Sequence, residues 1–280
     1  MYKTDHYEHR YFNSIKDNGI TLTKFSKDIK KIESEYAFYY FIPENIQRWF
    51  VQPFNFEIKN EIASYKMEKI FCKNAGEILA SFEMDLISFK NMFNLIVEFK
   101  KECKEMYYSE DNCKEESKYL VITKTQNRIQ ENYSDIMLRI SKAYDFYKQE
   151  RLSWMKTLSH GDLCLTNILW SKDINLIKFI DPRGAFLRND IYMDEYYDLA
   201  KLSHSILGGY ENILYGHHFS DQAMKDIFIN YLHENNISVN LLRVYEASLF
   251  LSMVPLHKDN KEHVDLFINK SKEILNELGF

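Results

Sequence analysis

The sequence predicts an α+β protein in two parts: a small, strand-rich segment over residues 1–70 and a larger, helical one over 71–280. Three observations predict this. The first seventy residues hold strand-like runs, turn residues and a single amphipathic stretch. From about Gly76 onward the apolar residues recur at the helical period. One later segment, 160–184, breaks that habit with two short apolar runs about a turn.

The elements follow in order. Residues 9–14 and 20–24 read as strands flanking a turn at 16–19, where Gly19 supplies the positive φ that such turns often need. Ser26 is expected to open a helix, its hydroxyl capping the first free amides. Ile29, Ile32, Tyr36 and Tyr40 would form its inward face, and Pro43 would end it. Residues 51–58 and 61–70 look like a hairpin joined at Lys59 and Asn60. A helix over 82–105 carries Leu86, Phe89, Phe93, Ile96, Val97 and Lys100 at helical spacing. A charged helix covers 114–131 and another covers 134–150. A further helix over 194–207 is closed by Gly208 and Gly209, and more helices follow.

Composition excludes several classes. The net charge of −5 argues against coating nucleic acid. No apolar run approaches the roughly 18 residues that a membrane span needs. The start, MYKTDHYEHR, is polar and lacks the apolar segment of a signal peptide. Cys72, Cys103, Cys113 and Cys164 form no CxxC pair and read as reduced thiols, so a cytoplasmic protein is expected. The Gly-x4-Gly-Lys-Ser/Thr phosphate loop is absent from the sequence. His217 and His218 are adjacent, so they point apart on any regular element, and no Glu spacing fits a zinc motif.

The chemistry concentrates in His160-Gly161-Asp162-Leu163-Cys164-Leu165-Thr166-Asn167-Ile168-Leu169-Trp170 and in the run from Ile174 to Gly184. Residues 167–170 and 176–181 read as strands, with turn residues at 171–173. Asn167 and Asp181 each lie seven residues from Ile174, the centre of this hairpin. They are therefore expected to face each other at its open end, roughly 4.5–5.5 Å apart at Cβ. An amide oxygen and a carboxylate at that separation can share Mg²⁺. Asp162 lies just upstream on the same side. Any hairpin can carry Asp and Asn at its ends, since both suit turns. The flanking His160-Gly161 and Ile180-Asp181 sharpen the reading. Phosphoryl transfer needs a carboxylate for the attacking hydroxyl and oxygen ligands for metal on the donor phosphates.

His-Gly-Asp-x4-Asn-Ile-Leu, followed by Ile-Asp at the end of the next strand, resembles the aminoglycoside phosphotransferase and choline kinase family. The resemblance implies a two-lobed protein-kinase-like fold, with a small β-rich N-terminal lobe, a helical C-terminal lobe and nucleotide between them. It implies transfer of the terminal phosphoryl group of ATP (or GTP), with Mg²⁺, to a hydroxyl of a small molecule. On the same footing Asp162 would be the catalytic base and Asn167 and Asp181 the metal ligands. Lys24 would hold the donor phosphates, paired with Glu35 in preference to Glu33. Residues 67–71, with Met67, Glu68, Lys69 and Ile70, would be the hinge that binds adenine through its main chain. His160 would fix the catalytic loop and Asp198 would brace it. Arg183 would contact a phosphate or a substrate acid, or else pair with a local carboxylate. Two features depart from the family: no glycine-rich phosphate loop is visible, and the N-terminal lobe is short.

Asp181-Pro182-Arg183-Gly184, with the later Tyr-Asp-Leu-Ala-Lys-Leu-Ser-His-Ser-Ile-Leu-Gly-Gly-Tyr, looks like a bacterial branch linked to capsule or surface-polysaccharide synthesis. That implies a sugar or polyol acceptor. Lys124, Thr125 and Arg128 either belong to this branch's pattern or form a solvated basic face. Two alternatives stay open. One is a choline or amine-alcohol kinase, with Tyr192, Asp194, Glu195, Tyr196 and Tyr197 holding the cation. The other is an inactive kinase fold that binds nucleotide. The expected partners are a nucleoside triphosphate and a small-molecule acceptor, with no nucleic acid and no membrane span. The oligomeric state is left open.

Overall fold

A computed structural model describes residues 14–106 and 112–280. Residues 9–13 of the first predicted strand lie outside the described residues. The chain forms two compact units. One comprises the described residues up to Cys72 together with Lys178–Ile191, and the other comprises those of Lys73–Ile177 and Tyr192–Phe280.

The first unit is built on an antiparallel sheet in the order β1-β2-β4-β3, from β1 (Ser14–Asp17), β2 (Thr21–Ser26), β3 (Pro53–Lys59) and β4 (Ile62–Glu68). Asn18 N donates to Thr21 O at 2.9 Å, and Gly19, at φ 89°, closes the first turn. Asn60 and Glu61, at φ 49° and 60°, turn the second hairpin. Between these pairs of strands runs α1 (Ile29–Phe41), followed by the single turn α2 (Glu44–Gln47). Ser26 does not cap α1. It ends β2, and its hydroxyl accepts from Asp28 N at 3.0 Å. The cap is Asp28, whose carboxylate accepts from Lys31 N at 3.1 Å. The inward face also differs from the expected one. Ile32, Ser34, Glu35 and Phe38 are buried, whereas Tyr40 is 51% exposed. Polar Ser34 and Glu35 occupy buried places that an apolar pattern alone could not mark. Proline at 43 stops the helix as expected, with Ile42 N bonded to Phe38 O.

Residues 178–191 add to this unit. Phe179 N donates to Trp49 O at 2.7 Å and Val51 N to Phe179 O at 3.0 Å. Gly184 sits at φ 89°, and a Cβ there would meet Ser34 Oγ at 2.5 Å. Only glycine permits this backbone to lie against α1.

The second unit is mainly helical: α3 (Ala75–Ala80), α4 (Leu86–Glu105), α5 (Cys113–Lys118), α6 (Lys124–Ile129), α7 (Ser134–Tyr147), α8 (Glu195–Ile206), α9 (Tyr210–Tyr215), α10 (Gln222–Glu234), α11 (Val239–Met253) and α12 (Lys261–Glu277). The helix expected over 82–105 starts later, at Leu86. Phe82 adopts φ 61°, and Asp85 caps α4 on Ser88 N at 2.7 Å. The charged helix expected over 114–131 runs from α5 into α6 through one π turn, Tyr119–Thr123. A short pair, β5 (Lys156–Leu158) with β8 (Tyr192–Asp194), joins two segments that the sequence reading left unpaired. Among the described residues one helical segment, Val239–His257, is 19 residues long and apolar enough to match the length of a membrane span, with a window of mean hydropathy 1.2 that is 72% buried inside the protein, as in a core helix. The four cysteines are free, and Cys103, Cys113 and Cys164 are buried.

Candidate active site

In the first unit, strand alternation turns Lys24 to the face covered by α1. In the sheet Lys24 lies directly opposite Tyr65. Its side chain is 1% exposed, and its Nζ meets Glu35 Oε2 at 2.6 Å and Asp181 Oδ1 at 2.8 Å. Tyr65 Oη donates to the same Glu35 oxygen at 3.3 Å. One cation therefore serves two carboxylates. Burial opposes the charge on Lys24, but Asp181 and Glu35 outweigh it and its pKa is raised. Burial is also the main reason that the Glu35 pKa is raised, against the pull of Lys24. The helix thus selects Glu35 over Glu33, which is exposed. Met67 and Glu68 close β4, and the next amide, Lys69 N, donates to Ile20 O at 3.2 Å. Lys69 Nζ pairs with Asp17 at 2.6 Å, and Ile70 follows, outside the strand. A small cleft beside the ion cluster is lined by Glu35, Tyr65, Met67, Phe179 and Asp181. Arg183 is exposed, two residues beyond Asp181.

In the second unit, the loop from His160 to Asn167 is held from behind. Asp198, fully buried on α8, accepts from His160 N at 3.0 Å and Gly161 N at 2.8 Å. The same carboxylate binds Lys100 Nζ at 3.0 Å. Burial would lower the Lys100 pKa, but Asp198 raises it. Gly161 takes φ 79°, which lets the chain turn over this carboxylate. His160 Nδ1 accepts from Asp162 N at 3.1 Å. Asn167 Nδ2 donates to Asp162 O at 2.8 Å and Asp162 Oδ2 at 3.2 Å. Asp162 Oδ1 meets Lys201 Nζ at 2.8 Å.

One geometric expectation needs correction. The ribbon is β6 (Ile168–Ser171) with β7 (Leu176–Phe179), and neither Asn167 nor Asp181 is a ladder residue. Asn167 ends a 3₁₀ turn, Leu165–Asn167, and Asp181 stands two residues past β7 at φ 56°. Short polar side chains favour that left-handed conformation, so the acid leaves strand geometry before it can pair. Both supply hard oxygens of the kind Mg²⁺ takes. Asn167 spends its Nδ2 on Asp162, so Oδ1 is the atom it could offer to a cation.

The proposed amine-binding cluster holds the protein's own cation instead. Arg151 makes two bonds to Asp194, at 2.7 and 3.0 Å, and its guanidinium lies 4.2 Å from the ring centroids of Tyr196 and Trp154. Asp194 is fully buried and also receives Tyr245 Oη at 2.6 Å. Lys124 and Thr125 are not a solvated face either. Thr125 Oγ1 bonds Ser248 Oγ at 2.7 Å, and Lys124 Nζ bonds Tyr197 Oη. Exposed Arg128 reaches Ser252 Oγ at 3.4 Å. Sequence reasoning missed Lys100, Lys201 and Tyr65 as site residues, and named Tyr197 only within the amine-binding alternative. Lys100 did leave a signal, as a lysine on the apolar stripe of its helix.

No family model and no curated protein sequence matches the chain. Solved structures do. Aminoglycoside phosphotransferase APH(4)-Ia, in a ternary complex with AMP-PNP and hygromycin B, is similar at TM-score 0.63 and 11% identity, over 96% of this chain and 91% of that one. A protein of Haemophilus somnus 129PT assigned as a fructosamine-3-kinase is similar at TM-score 0.60 and 9% identity, over 96% and 88%. An aminoglycoside-3'-phosphotransferase of type VIII is similar at TM-score 0.51 and 10% identity, over 89% and 85%. At such identities the likeness is one of fold.

Proposed function

We propose that this chain, which has the fold of the aminoglycoside phosphotransferases, transfers the terminal phosphoryl group of ATP to a hydroxyl of a small molecule. The observation that carries the reading is the ammonium of Lys24, buried and shared between Glu35 and Asp181. A lysine so held is fixed in place to meet donor phosphates. Asp162 takes the proton of the attacking hydroxyl. The new P–O bond forms to that oxygen while the bond to the bridging oxygen of ADP breaks. His160 and Asp198 keep the loop in shape through its amides. Asn167 Oδ1 and the Asp181 carboxylate would hold Mg²⁺. Bound there, the ion offsets phosphate charge. The main chain at 67–70 is assigned to adenine and Arg183 to an anionic group of donor or acceptor. The acceptor is a sugar or polyol rather than choline. The Asp194 cluster, already filled by Arg151, supports that preference. Buried free thiols at Cys103, Cys113 and Cys164 suit a reducing compartment, and we assign the protein to the cytoplasm.

The test is a coupled nucleotide-consumption screen over sugars, polyols, choline and aminoglycosides, with Asp162→Asn and Asp162→Ala as controls. Turnover should appear with a sugar or polyol and fall roughly 10²–10⁴-fold in both variants while ATP binding persists. Failure of the parent protein to bind ATP with Mg²⁺ would overturn the assignment.

A further inference from the structure

The surroundings of Asp162 in the second unit bear on what brings the hydroxyl to it. Lys201, on α8, holds Asp162 Oδ1 at 2.8 Å with its own side chain only 13% exposed. Tyr197, one turn earlier on α8, is buried beneath both lysines of the region. Lys201 Nζ lies 6.0 Å from its ring centroid and Lys124 Nζ 4.6 Å, and Lys124 also bonds its hydroxyl. Lys124 and Arg128 are one turn apart on α6 and so share a face. A carboxylate, a phenol and two ammonium groups thus form one electrostatic cluster. Burial alone would push the Tyr197 phenol up, yet Lys124 and Lys201 bring it down to about 8. The cluster sets two ammonium groups against one carboxylate, so an anionic group on the acceptor is complementary to it.

We propose that the acceptor carries a negative charge of its own, as a sugar or polyol bearing a carboxylate or a phosphate seated against Lys124 and Lys201. The inference rests on the phosphotransferase reading and narrows its substrate class. A cationic acceptor meets two ammonium groups here and is disfavoured. Lys124 is a positioning residue: it acts through the acceptor's charged group and touches no reacting atom.

The experiment uses four probes with the same six-carbon chain: sorbitol, glucamine, gluconate and sorbitol 6-phosphate. Each is added to the full-length protein with ATP and Mg²⁺. Two quantities are read in parallel, ADP formation and the shift in Tm. Gluconate or sorbitol 6-phosphate should exceed sorbitol by about tenfold or more in apparent affinity, with glucamine weakest. Which of the two anions leads separates a carboxylate from a phosphate. Lys124→Arg should retain the order and Lys124→Glu should reverse it, so that glucamine binds best. Lys124 is half-buried at the surface, so these variants are expected to fold, and their Tm without ligand checks this. Equal responses to gluconate, sorbitol and glucamine, no response to either anion, or an unchanged order in Lys124→Glu would overturn the proposal. An ATP titration of the parent distinguishes the two failures. Intact ATP binding without anion preference removes this inference alone, and absent ATP binding removes the phosphotransferase reading beneath it.

Discussion

Lys24 and Glu35 lie 2.6 Å apart with side chains 1% and 5% exposed, one on a strand and the other on the helix that covers it. The pair ties α1 to the sheet, and Asp181 shares its ammonium. Removing one partner leaves a buried charge without compensation, which is costlier than removing both. Lys24→Met should therefore lower unfolding free energy by about 3 kcal/mol or more in urea titrations. Lys24→Met combined with Glu35→Leu should recover part of that loss. Neither variant should bind ATP. Recovery of stability without recovery of ATP binding separates the two roles of the lysine.

Asp198 is a parallel case in the second unit. Asp198→Ala strands Lys100 and two loop amides, and should cost about 3–5 kcal/mol in the same titration. Asp198→Asn keeps an oxygen acceptor for one of the two amides, since His160 N and Gly161 N bond different carboxylate oxygens, and should cost less than Asp198→Ala. Adding Lys100→Met to Asp198→Asn should return stability toward the parent, a positive coupling in the double-mutant cycle.

Glu211 predicts a pH dependence. It is 1% exposed and accepts from Ser205 Oγ at 2.7 Å, while Ser205 Oγ accepts from Leu165 N in the loop from His160 to Asn167. Burial raises its pKa from 4.5 to about 7, with the Ser205 bond opposing. Between those values the folded chain holds a proton that the unfolded chain has released. This contribution to stability is full below 4.5 and lost as pH rises through 7. Its span is about 3 kcal/mol. Glu211→Gln should be more stable than the parent at pH 8, with the difference vanishing at low pH; chemical unfolding across pH reads this.

Tyr197 supplies a spectroscopic prediction. Burial opposes ionisation, but Lys124 and then Lys201 lower its pKa to about 8, so one phenol should ionise well before an ordinary tyrosine. A folded-state pKa below the unfolded value adds stability as pH rises from about 8 to 10, and that gain is lost as pH falls through 8. The tyrosinate absorbance titration of Tyr197→Phe should lack this early step. Lys124→Met should delay it toward higher pH.

The candidate loop was legible because it is contiguous. His160-Gly161-Asp162 through Asn167 reads as a loop because glycine and short polar residues cluster between apolar runs, and the chain does turn there. Lys24 and Glu35 were legible only through the resemblance, which asks for a strand lysine and a helix acid; the sequence alone left Glu33 beside Glu35, and burial on α1 separates the two. The ladder placement of Asn167 and Asp181 failed because strand periodicity was carried past the points where the backbone leaves it. Lys201 escaped because its partner, Asp162, lies on a loop about forty residues away, and Tyr197 was assigned to a bound cation because Lys124 lies 73 residues away on another helix. The β5–β8 pair, three residues on each side, is too short for alternation to announce it.

The π turn at Tyr119–Thr123 has an angular effect. Each residue advances an α-helix by about 100°, and a π turn accommodates one residue more than an α turn does. The stretch after Thr123 is therefore out of step with the one before it by that angle. The rotation carries Lys124 to Tyr197 and Thr125 to Ser248. A heptad count begun at Cys113 and continued through the turn would send both toward the wrong side.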